Sequence, residues 1–206
     1  MRRTFFPAAV AIAAIALLTA LPVAADDNEK KLKSSGNPEF DAEMAEWMKY
    51  AQPGEHHQHM KQFAGSWKTE TKFWPAPGAE PQVSSGTAVN ELVLGGRFLN
   101  NNLTGSFMGQ PFEGVGLSGY DNYQKKHTDV WMDTMGTLMM PSEGICSEGG
   151  KVLKMTGRYE NPMTGKEETM KMVTRVISKN EFVWEMFDEG PDGKEFKTLE
   201  VKYTRR

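Results

Sequence analysis

The chain has 206 residues, with 24 Lys+Arg against 27 Asp+Glu and a formal charge of −3. That length suits one domain, and that charge excludes a nucleic-acid reader driven by bulk positive charge. A single Cys excludes an intrachain disulfide framework and a Cys-rich zinc site, while 11 Phe, 5 Trp and 5 Tyr suffice for a sizeable core.

Residues 1–25 read as a secretory signal peptide. Arg2 and Arg3 form a positive start, Pro7 to Val23 is apolar, and Val23-Ala24-Ala25 offers small residues before Asp26-Asp27. A membrane anchor is the competing reading. The apolar run is only roughly 17 residues, at the bottom of the spanning range, and its Ala-rich end favours cleavage. The expectation is export to the periplasm or the exterior, with no stable membrane insertion afterwards.

Residues 26–37 are polar and charged and read as a flexible leader. Residues 38–64 read as N-terminal helices. Asn37 is a cap, Pro38 suits the first helical position, and Phe40, Met44, Trp47 and Met48 recur on one face. Pro53-Gly54 ends that helix, and a second short one runs from Glu55 to Phe63.

From Gly65 to the end the pattern is strands and turns. Ten strands are predicted, near 66–74, 83–94, 97–107, 111–120, 127–134, 137–146, 151–159, 168–178, 181–188 and 194–204. A slip in the last, near Thr198, reads as a bulge. Turn signals recur between them, such as Gly95-Gly96, Met108-Gly109-Gln110 and Met163-Thr164-Gly165. Ten successive antiparallel strands leave long exposed edges unless the sheet closes. The predicted fold of residues 65–206 is therefore an up-and-down β-barrel, wider than the eight-stranded barrel that side chains can just fill.

Several segments carry a family likeness. They include Pro53-Gly54-Glu55-His56-His57, Gly65-Ser66-Trp67 and Leu94-Gly95-Gly96-Arg97-Phe98-Leu99. Further ones are Met108 to Gly114, Gly119-Tyr120-Asp121-Asn122, Trp131-Met132-Asp133, Asn161 to Lys166 and Gly190 to Phe196. In these the chain, from about Pro53 to Arg206, resembles the bacterial family called domain of unknown function 1579. That family is placed with the calycin-like barrels, alongside lipocalins, fatty-acid-binding proteins and nitrobindins. The resemblance implies a barrel with an interior for an apolar ligand. It supplies no activity and no catalytic residues.

The expected function is binding of a small, mostly apolar or amphipathic molecule inside the barrel. Trp67, Phe73, Trp131 and Met155 are the expected apolar contacts, and Arg97 paired with Asp133 the polar anchor. The chain's 14 Met are numerous; Met155, Met170, Met172 and Met186 on late strands read as core filler or as adaptable lining. Two other classes compete. An enzyme in the same barrel would use Asp133, Glu91 and His127. A structural protein would have a filled barrel and a docking helix at 38–51.

His56-His57-x-His59-Met60 is the sharpest cluster. On a helix His56, His59 and Met60 share one side, and imidazole with thioether suits copper, or imidazoles alone zinc, with His127 as a further ligand. Haem is a second reading of the same segment, by analogy with nitrobindins. A structural place at the barrel rim competes with both, and the family likeness favours it for His57. No metal or cofactor is assigned on this pattern. No nucleophile elbow, phosphate loop or dinucleotide fingerprint in a strand–helix setting is present.

Overall fold

The computed structural model describes residues 33–190 and 192–206. The predicted signal peptide lies outside them. The barrel expectation holds: ten antiparallel strands close in sequence order. They are β1 (Gly65–Phe73), β2 (Gln82–Val93), β3 (Phe98–Phe107), β4 (Gln110–Asp121), β5 (Lys126–Asp133), β6 (Met140–Ser147), β7 (Val152–Asn161), β8 (Lys166–Ser178), β9 (Glu181–Glu189) and β10 (Glu195–Arg205). β1 and β10 complete the ring, in register from Trp67 opposite Arg205 to Phe73 opposite Leu199. The expected bulge is present, with the β9–β10 register shifting between Lys197 and Leu199. β6 starts three residues later than predicted, after a turn that takes in Thr134 and Met135.

Two helices precede the barrel. Helix α1 (Pro38–Ala51) starts where the sequence says, because the Asn37 side chain accepts from the backbone N–H groups of Glu39 and Phe40. None of its residues is buried; Phe40, Trp47 and Tyr50 are exposed. Its C-terminal end is held by main-chain contacts: Arg97 Nε donates to Ala51 O (3.0 Å), and Asn122 Nδ2 to Tyr50 O and Gln52 O (2.8 Å each). Helix α2 (Glu55–Met60) and a 3-10 turn (Lys61–Phe63) pack against one end of the barrel, here called the plugged end.

At that end the interior is dry. Trp67 is 1% exposed, and its indole donates to Phe63 O (2.9 Å), which also accepts from Asn90 Nδ2 (2.9 Å). Phe182 stacks on Tyr203 (4.1 Å between centroids) and meets Trp67 and Phe63 edge-on. Ala88, Leu103 and Val201 complete this core. The Arg205 guanidinium lies over the Trp67 ring at 4.1 Å and donates to the carbonyls of Ala64, Gln62 and Lys179, which ties the last strand to the plug.

Strand alternation then assigns the other inward positions. On β5 they are His127, Asp129, Trp131 and Asp133; across β7–β8–β9, Met155 faces Met172 and Met172 faces Met186. Gly144 sits inward where β6 crosses β7 closely. A Cβ built there falls 1.9 Å from the Lys154 carbonyl oxygen, a main-chain atom. Gly144→Ala is therefore expected to lower the unfolding free energy by about 3 kcal/mol, since backbone cannot yield as a flexible side chain does. Gly109→Ala, at a turn with nothing within 4 Å but φ +78°, is expected to cost about 1 kcal/mol. Urea unfolding of both variants checks the order.

Candidate functional site: the barrel lumen

The wall formed by β4 to β9 differs from the dry core. Its inward residues Ser118, Asp133, Ser142, Tyr159 and Asp188 are half-buried, while Met155 and Met170 are buried and Trp131 and Trp184 pack against the core. The half-buried Asp133, Tyr159 and Asp188 lie toward the end away from the helices, here called the open end. At that end a concavity of about 210 Å³ lies beside Phe73 and Phe107, and another of about 170 Å³ lies on the outer face beside Thr169, Lys171 and Phe187.

Trp131 dominates this wall. Gly114 and Gly116 on the neighbouring strand make room for it: a Cβ at Gly114 falls 2.2 Å from the Trp131 ring and one at Gly116 3.0 Å. The indole Nε1 donates to Asp133 Oδ2 (2.8 Å), while Asp133 Oδ1 accepts from Met135 N (2.9 Å). Asp133 thus fixes the Trp131 ring and the turn that follows it.

Deeper in lies a polar belt. Ser118 Oγ donates to Asp129 Oδ2. Asp129 and the Asn101 amide both come close enough to act on the Tyr203 hydroxyl, although Asp129 and Tyr203 sit on opposite strands of the ring. Burial pushes the Asp129 carboxyl above its ordinary range, against the lowering effect of the Ser118 hydrogen bond. Thr69 (4% exposed), Asn90 (2%) and His127 (6%) are inward and buried. Thr69 Oγ1, Asn90 Oδ1, Asn101 Oδ1 and His127 Nε2 are buried atoms without a hydrogen-bond partner among the described residues. Such atoms cost free energy unless something in the lumen meets them.

Several expected site residues lie elsewhere. Trp67 belongs to the dry core and offers no free face. Arg97 is not in the lumen: it holds Ala51 O and Leu94 O (3.2 Å) at the plugged end, whereas Asp133 ends β5 at the open end. The expected Arg97–Asp133 anchor is therefore not formed. Sequence reasoning placed Arg97 at a strand start correctly but had no signal for the helix end it caps. Phe73 is at the open rim, with its ring 5.1 Å from that of Phe107. Trp131 and Met155 do face inward as expected, Met155 beside Met172.

The expected catalytic set is not assembled either. Glu91 points outward, because its neighbour Asn90 is the buried one. His127 and Asp133 are six residues apart along one strand, about 20 Å. Sequence reasoning missed Asp129. Its signal was the alternation itself, since it stands midway between His127 and Trp131 on the same face.

All four histidines gather at the plugged end. His56 stacks on Tyr120 (3.9 Å between centroids), and His59 and His127 meet His56 edge-on at 5.7 and 5.4 Å. His57 Nδ1 accepts from Gly54 N (3.0 Å), which fixes the start of α2, and is the rim residue the family likeness suggested. Met60 is buried. Among the described residues, no group of three or more His, Cys, Asp or Glu side chains is placed to hold a metal ion. The cluster packs as stacked rings, not as a ligand set.

His127 is pushed down to about 4 by burial and by the neighbouring His56, His59 and His57. A base depressed in the fold is neutral there while the unfolded chain takes up a proton below 6.5. Stability is thus fully present above pH 6.5 and falls as pH drops from 6.5 to 4, by at most about 3 kcal/mol. His127→Gln is expected to flatten that stretch of the curve. Denaturant unfolding at half-unit pH steps, for both proteins, measures it.

Comparison with known proteins agrees with this architecture. The family model described as "Protein of unknown function (DUF1579)" matches residues 52–205. Among curated proteins none matches the chain. The crystal structure of Rv2717c from M. tuberculosis is similar at 16% identity and TM-score 0.56, over 75% of this chain and 99% of that one, a likeness of fold alone. A redesigned β-barrel, b11L5F_LGL, aligns at 14% identity and TM-score 0.39, over 72% of this chain and 95% of that one. EF1p2_mFAP2b bound to DFHBI aligns at 13% and 0.40, over 73% and 99%. Neither of these two likenesses supports an argument about this chain. With a closed ten-stranded barrel over the matched residues, the chain belongs to the DUF1579 family.

Proposed function

We infer that this protein binds a small amphipathic molecule inside its barrel. The observation that carries the reading is the set of buried, inward polar atoms without a partner among the described residues, on Thr69, Asn90, Asn101 and His127, in an interior that also presents aromatic and Met side chains. A ligand with one polar end and an apolar body answers both. Trp131 and the row Met155–Met172–Met186 form the apolar wall. Met side chains, unbranched and polarisable, adapt to ligands of different outline. Phe73 and Phe107 form part of the entrance. The signal peptide expected at residues 1–25 adds a compartment to this reading: the ligand is met outside the cytoplasm.

Enzymatic use of the lumen lacks support of this kind, since Asp133, Glu91 and His127 do not converge. Trp131→Ala is expected to weaken ligand binding at least tenfold, because an indole contributes a few kcal/mol of buried contact. The check is native mass spectrometry of protein purified from its own host. A non-covalent organic adduct, lost on denaturation and absent from Trp131→Ala, is the expected result. Bare protein in both, with no fluorescence response to apolar probes, would refute the reading.

A further inference from the structure

The charge inside the barrel is one-sided. Four carboxyls stand at inward positions: Asp129 and Asp133 on β5, Glu168 on β8 and Asp188 on β9. The Lys on an inward face among the described residues, Lys166, opens β8 at the rim and is exposed, and the inward Arg205 is spent on three carbonyls at the plugged end. Each carboxyl is met by neutral donors. Asp129 accepts from Ser118, Asp133 from the Trp131 indole, Glu168 from Tyr159 (2.9 Å) and Asn161 (2.8 Å), and Asp188 from Thr198 (2.8 Å). No salt bridge among the described residues includes any of the four. The outside of the same strands is different: Lys197 bridges to Glu185 (3.0 Å), as does Arg175 (3.3 Å).

Neutral hydrogen bonds hold a carboxylate but leave its charge in place. Inside a concave wall of low polarity that charge acts at longer range than on an open surface. It repels an anion and draws a cation inward. The unpartnered buried atoms of the polar belt point the same way. Of these atoms Asn90 Oδ1 and Asn101 Oδ1 are acceptors only, whereas Thr69 Oγ1 and His127 Nε2 can donate or accept, and a ligand head that donates hydrogen bonds or carries positive charge meets the two amide oxygens. The aromatic face of Trp131 next to Asp129 on β5 suits a cation as well.

We propose that the molecule held in the lumen is cationic: an organic ammonium with an apolar body, its head at Asp129 within the polar belt and its body along Trp131, Met155 and Met172. This rests on the lumen-binding reading above and adds the class of ligand. It excludes the carboxylate-bearing lipids that an Arg97 anchor would have suited, because that Arg is outside the lumen.

The experiment is a titration of the full protein at pH 7.5, read by Trp fluorescence, with three probes of equal chain length: decyltrimethylammonium, decanol and decanoate. Decyltrimethylammonium is expected to bind about tenfold tighter than decanol, the margin of one uncompensated buried charge, and decanoate not to bind measurably. Asp129→Asn, nearly the same shape, is expected to remove the preference and leave decanol binding unchanged. If that variant does not fold, Asp188→Asn with Glu168→Gln, at the open end, is expected to reduce the preference in the same direction. Equal binding of all three probes, or tighter binding of decanoate, overturns the cationic assignment and leaves the lumen reading standing. Binding of none of the three overturns both.

Discussion

Everything in this protein depends on the seam between its first and last strands. The β1–β10 register runs through seven residue pairs, Trp67–Arg205 to Phe73–Leu199. Without them the sheet would have two long free edges, and the inward side chains would have no inside to face. The seam is also where the interior is most tightly packed. Trp67, Tyr203 and Val201 lie on it, Phe182 beside it, and Arg205 carries it over to the plug. Closing the ring and capping its end are thus one structural act, performed by residues 67 and 205 together.

Closure creates an inside, and the sequence then divides it. The strands next to the seam fill their share with aromatic and aliphatic groups in contact. The strands opposite carry glycines, carboxyls, methionines and one ring laid flat against its neighbour. Gly114 and Gly116 are what allow that ring to lie down against β4: any side chain there would push Trp131 off it. The Trp131–Asp133 hydrogen bond holds the ring in that place, where it packs against the core. A barrel of ten strands has more circumference than one core can fill. The dry half stabilises the fold, which leaves the other half free to be polar.

The fold was legible because strand period, turn chemistry and the edge problem all gave the same answer. Ten segments, a bulge at Thr198 and closure could each be read from alternation and from Gly placement. The site was legible only in part. Trp131 and Met155 follow from alternation on clearly patterned strands. Arg97 misled because a lone Arg near a strand start looks like an anchor, whereas its real partners are main-chain carbonyls of a helix end, which leave no mark in a sequence. Asp133 looked in need of a cation, and its donor proved to be the indole two residues earlier. Hydrogen bonds between near neighbours along a strand are hidden from pattern reading, which counts faces and not rotamers. The histidine segment looked like a ligand set for a related reason: spacing shows that rings can meet, but not that they will stack.

Helix α1 is attached through its main chain. Arg97 and Asn122 grip the helix end through the oxygens of Tyr50, Ala51 and Gln52, atoms that every residue possesses. Those hydrogen bonds ask for no particular side chain at residues 50–52, and the Tyr50 ring adds an edge-on contact with Tyr123 (5.3 Å between centroids). Substitutions along α1 that spare Tyr50 and keep the last turn helical leave that clasp intact. The family model starts at residue 52, just past Ala51, so it describes the socket and not the helix docked on it.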